Sequence, residues 1–88
     1  MSDTDLIGLR NLGKTSVQWL RATGIHSAEE LRRQGPVAAY CAVRARGFRA
    51  SRTLLFAIAG ALQNIHWNQL DADYKQQLLR QLEEYQQR

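Results

Sequence analysis

Few side chains in this sequence are equipped for covalent or metal chemistry, and their spacing does not assemble them. The two histidines, His26 and His66, stand far apart, and no His or Cys recurs at the short intervals that ligate zinc. Cys41, the single cysteine, follows Tyr40 and precedes Ala42 and Val43, so it reads as a small apolar side chain of a core. Glu83 and Glu84 are adjacent, and on a helix adjacent carboxylates diverge. There is no Walker-type phosphate loop. The expectation is a protein that is not an enzyme, with no metal and no cofactor.

The chemistry this sequence does offer is anion binding. In "LRNLGKTSVQWLRATGI", the turn Asn11-Leu12-Gly13-Lys14 opens a helical stretch. The first N–H groups of a helix lack intrahelical partners, and with the helix dipole they attract phosphate. Lys14 would add a charge, and Thr15 and Ser16 two hydroxyls. The same turn could equally be a plain joint between two helices.

A second feature is a basic block. Between Leu31 and Leu70 lie Arg32, Arg33, Arg44, Arg46, Arg49 and Arg52, with no acidic residue among them. The acids gather instead at Asp3, Asp5, Glu29, Glu30, Asp71, Asp73, Glu83 and Glu84, mostly where helices would begin. The net charge is +4, and its concentration in the middle of the chain suits a polyanionic partner as well as a solvated surface. The candidate nucleic-acid contacts are therefore Asn11, Gly13, Lys14, Thr15 and Ser16, with Arg44, Arg46, Arg49 and Arg52.

Positioning these residues falls to helices, because no stretch alternates with period two. A first short helix is expected over about Thr4 to Arg10. A second follows from Lys14 to Thr23 with Val17, Leu20 and Trp19 inward, stopped by Gly24. Ser27 and Glu30 form a capping box for a third helix that ends at Gly35. Pro36 fits the first position of a fourth, which carries Val37, Tyr40 and Cys41 and ends near Gly47.

The fifth, "SRTLLFAIAGALQNI", is apolar on most faces and is expected to be the central strut, with Gly60 allowing another helix close. Trp67 should lock the following loop onto the core. Asp71 then caps a last helix with Tyr74, Leu78, Leu82 and Tyr85 on one face, a stripe that covers the core or serves a partner chain. The 88 residues suit one domain spanning 1–88, a compact orthogonal array of five to six short helices.

"LRNLG", "GI" before a capping serine, "GF" before the apolar helix and "HWN" occur in an order that resembles the C-terminal domain of the TfoX/Sxy family of DNA-transformation (competence) regulators. The likeness runs from about Leu6 to Leu79. It implies an all-α, helix-hairpin-helix or SAM-like fold, here standing alone. It also implies a part in competence gene expression, where the family works alongside the cyclic-AMP receptor protein. In helix-hairpin-helix proteins the turn's amides hold DNA phosphate without reading sequence. This chain has Asn11 in place of the usual first glycine, and Lys14-Thr15 where Pro-Lys is commoner.

Two partners follow as expectations. One is DNA, held weakly and without sequence preference. The other is a transcription factor or RNA polymerase, which would need an exposed apolar patch along Tyr74, Leu78, Leu82 and Tyr85. The lone cysteine and the absence of a signal-like start point to the cytoplasm. The longest apolar run, Leu54 to Leu62, is far short of the ~20 residues of a membrane span. Monomer and homodimer are both compatible with the sequence.

Overall fold

Glycines, a proline and two asparagines set the boundaries of the helices. The computed structural model describes Leu6, Leu9 and residues 11–87. Within them are five helices: α1 (Lys14–Ala22), α2 (Ala28–Gln34), α3 (Pro36–Ala45), α4 (Arg52–Gln63) and α5 (Ala72–Gln86). A 3-10 turn, Trp67–Gln69, lies between α4 and α5, and no strand occurs among the described residues. The fold is all-α, as the sequence predicts. The helix expected over Thr4 to Arg10 lies outside the described residues, save that Leu6 is buried and Leu9 packs against the core.

Gly24, at φ 94°, ends α1 in the left-handed region, and the Ile25 N–H reaches back to the Leu20 carbonyl at 3.0 Å. The Ser27 hydroxyl accepts from the Glu30 N–H at 3.2 Å. The Glu30 carboxylate in turn accepts from the His26 N–H at 3.3 Å, one residue ahead of the cap. Gly35 both ends α2 and begins α3. Its N–H donates to Leu31 at 2.9 Å, while its carbonyl accepts from Ala39 at 3.1 Å. Pro36 then takes the first helical position.

Two ends differ from expectation. The apolar helix stops before Asn64 rather than running to Ile65. Asn64 turns left-handed at φ 58°, and the Ile65 N–H bonds the Gly60 carbonyl at 3.0 Å. Asp71 does precede the last helix, but its carboxylate makes no capping hydrogen bond.

The core runs through every helix, with Leu20, Ile25, Leu31, Tyr40, Val43, Leu55, Ile58 and Leu78 each at most 1% exposed. α4 is buried nearly all round, at Leu54, Leu55 and Ala57 through Ala61. α3 packs against all four other helices, and alanines such as Ala39, fully buried, let its neighbours come close. Tyr40, at its centre, donates its hydroxyl to the Ala50 carbonyl at 3.3 Å.

α5 docks on its own chain through Leu78 and Leu82, which are buried. Of the stripe imagined as a partner's patch, Tyr85 alone is a large exposed apolar residue, at 43%. Leu78 and Leu82 of the stripe are thus spent on the core, and Tyr74 packs partly against it. The radius of gyration is 11.9 Å, matching the roughly 12 Å of a compact body this long.

Candidate functional site

Gly13 precedes α1 in an extended conformation (φ −84°, ψ −178°) and offers no side chain to cap it. Its carbonyl accepts the first helical bond, from the Val17 N–H at 3.0 Å. The N–H groups of Lys14, Thr15 and Ser16 come before that bond and so have no helical acceptor. Gly13, Lys14 and Thr15 are exposed and Ser16 is half-buried. Leu12, 6% exposed, anchors the turn from beneath. An anion approaching here would meet three amides, a positive helix end and one ammonium group.

Asn11 takes the left-handed conformation, φ 69°, which asparagine tolerates better than other non-glycine residues. Its side chain faces the protein. The amide Nδ2 donates to the Ile65 carbonyl at 2.9 Å and to Ala57 at 3.4 Å. Its Oδ1 accepts from the Trp67 N–H at 3.1 Å. Asn11 therefore fixes the bearing of the turn from behind, tying it to the far end of α4. The space for this amide comes from Gly60. Close approach at Gly60 was expected of a helix, and what approaches is the Asn11 side chain and the backbone leaving α4.

The loop after α4 is held through this backbone N–H. The Trp67 ring is half-buried, and Lys75 Nζ stands 5.6 Å from it and 5.6 Å from the Phe56 ring. The Asn68 N–H donates to His66 Nδ1 at 3.3 Å.

Arg44, Arg46, Arg49 and Arg52 are all exposed, but they divide into two groups. Arg46 and Arg49 flank Phe48, whose ring stacks on Trp19 of α1 with centroids 5.4 Å apart and planes 15° apart. That stack joins their loop to the helix that carries the turn. Arg44 and Arg52 instead border α5. Arg44 lies over the Tyr40 ring, 5.9 Å from its centroid, and beside a depression shared with Cys41, Tyr85 and Gln86. Arg52 borders another with Leu79, Leu82 and Glu83. Arg52 also opens α4, whose opposite end receives Asn11, and twelve helical residues put about 18 Å between those ends.

Cys41 is half-buried rather than fully enclosed. Burial pushes its thiol pKa up, and the Arg44 guanidinium only partly opposes this. Among the described residues no group of three or more His, Cys, Asp or Glu side chains could hold a metal ion. No helix among them is long and apolar enough to cross a membrane.

The helix start at Gly13 and the lysine, threonine and serine on it are legible in the sequence. The inward role of Asn11 and the Trp19–Phe48 stack are not, because they depend on contacts between distant segments.

A family model described as the TfoX C-terminal domain matches residues 2–82 of the chain. Two crystal structures from Listeria monocytogenes share the fold. One, an uncharacterized protein in a triclinic form, is 30% identical with a TM-score of 0.83, over 92% of each chain. The other, a protein of unknown function in a tetragonal form, is 32% identical with a TM-score of 0.80, over 85% of this chain and 93% of that one. No curated protein sequence matches.

Proposed function

Because the chain belongs to the TfoX C-terminal domain family, we propose that it is a non-enzymatic regulatory module of the cytoplasm, which holds nucleic-acid phosphate at the start of α1. Family membership supports a role in competence gene expression. The observation that carries the phosphate reading is the exposed first turn of α1. Three N–H groups without helical acceptors stand there beside Lys14, on a backbone that Asn11 braces with three hydrogen bonds. Arg46 and Arg49, exposed on the loop that the aromatic stack joins to α1, supply further charge. Such a grip is weak and blind to sequence, on the order of micromolar or poorer at physiological salt.

Titrating labelled duplex DNA at low and moderate salt tests this reading. Lys14→Glu should weaken binding and flatten the salt dependence, since each lost phosphate contact removes about 0.9 from the slope of log affinity against log salt. Arg80→Glu, exposed on α5, is the control and should do much less. Equal behaviour of the two variants, or no binding by the wild type at low salt, would make the turn a joint.

One observation favours a second reading, contact with a transcription factor or RNA polymerase. Tyr85 is exposed beside Pro36, Val37 and Ala38, around a depression of about 280 Å³. If that surface is the functional one, Tyr85→Ala should impair regulation in cells while leaving DNA binding untouched.

A further inference from the structure

We propose that the surface beginning at the α1 turn takes single-stranded rather than duplex nucleic acid, with Trp19 and Phe48 as its stacking platform. The proposal rests on the reading that the turn holds phosphate, and names the form of polymer it holds.

The periodicity of α1 separates its faces. Val17 and Leu20 point into the core and are buried. Trp19 lies on another side, with Thr15 four residues before it and Ser16 three, so these three residues share one flank of the helix. Trp19 packs against the edge of the core and is half-buried. Phe48 meets it at the margin of the core, nearly parallel at 15°. The loop that delivers Phe48 turns at exposed Gly47, φ 96°, and carries exposed Arg46 and Arg49 before and after Phe48 in the chain. The amides and hydroxyls at the start of α1 and Trp19 beyond them thus belong to one helix, and Phe48 and two exposed arginines to the loop stacked on it.

A duplex would use the amides, hydroxyls and charges here but not the rings, because its bases are paired and stacked inside. A single strand would use the rings as well. Its phosphates would meet the amides and arginines, and an unpaired base would extend the stack that Trp19 and Phe48 begin. Sequence-tolerant binding of this kind combines a basic track with aromatic faces.

Trp19 and Trp67 are the two tryptophans of the chain, so Trp67→Phe leaves Trp19 as the one indole. An oligothymidylate of fifteen nucleotides and a duplex of equal length are titrated against this variant, following both fluorescence and anisotropy. The single strand should quench Trp19 and bind several-fold more tightly than the duplex. Phe48→Leu should weaken single-strand binding by at least about fivefold, the lower end for loss of one stacking contact, and leave duplex binding unchanged. If Phe48→Leu fails to fold, the quenching and the strand preference in Trp67→Phe decide alone. Duplex binding that equals or exceeds single-strand binding, or single-strand binding without quenching, overturns this proposal. It leaves phosphate gripping intact if Lys14→Glu still weakens the duplex. No binding of either polymer at low salt overturns both, and points to a protein partner.

Discussion

Asn11 and Gly60 are 49 positions apart in the chain, and the carboxamide of one fills the space the other leaves. A Cβ on Gly60 would stand 2.7 Å from Asn11 Nδ2, 2.9 Å from the Ile65 carbonyl oxygen and 3.2 Å from the Trp67 Cα. Two of these three neighbours are backbone, which cannot move aside cheaply.

Gly60→Ala should therefore destabilise the protein, although alanine is the better helix former by about 1 kcal/mol. Crowding of a packed site costs about 1–3 kcal/mol, so a net loss is expected. In a domain this small each kcal/mol lowers Tm by roughly 4–8 °C. A Tm equal to or above the wild type's would show that the hollow is not needed.

Asn11→Ala removes three hydrogen bonds and leaves the Trp67 N–H and the Ile65 carbonyl without their side-chain partner. An unsatisfied buried group costs about 1–3 kcal/mol. Asn11→Gly loses the same bonds but relaxes the left-handed backbone, so it should be the milder of the two by about 1 kcal/mol. Denaturant titration of both variants checks the order, and equal losses would mean that φ 69° carries no strain.

Ile58→Ala should cost about 2–5 kcal/mol, because Ile58 is fully buried and surrounded by packed core. An unchanged melting temperature would contradict the position of α4 inside the fold.

The thiol of Cys41 should alkylate more slowly at neutral pH than a peptide thiol, since the thiolate is the reactive form. Burial raises its pKa, so the folded protein holds this proton more tightly than the unfolded chain does. Its contribution to stability is intact below the ordinary thiol pKa and is lost as pH rises past the folded value. Arg44→Gln removes the opposing charge and should slow alkylation further. Faster alkylation in that variant would reverse the assigned cause.

The parts of the fold that were legible in the sequence are those decided within a few residues. Ser27 with Glu30, Gly24, and the Gly35-Pro36 junction each act through bonds to near neighbours, and each stands where the sequence places it. The stop at Asn64 was written in the same local language, as an asparagine able to turn left-handed, but an apolar pattern continuing to Ile65 masked it.

What no local signal could convey is which surfaces meet. That α3 packs against all four other helices follows from alanines whose smallness matters only once neighbours are known. The same holds for the candidate site. Gly13 and Lys14 announce a helix start, whereas the division of the four arginines depends on where the loop at Phe48 crosses α1.

The bond from the Trp67 N–H to Asn11 has a further consequence for a chain made from its N-terminus on a ribosome. The turn emerges before its brace, which is made by residues translated long afterwards. At about 5–20 residues per second, seconds pass between the emergence of Asn11 and that of Trp67. During that interval α1 can form without the turn being aimed. A segment synthesised earlier is thus finished only by one synthesised later.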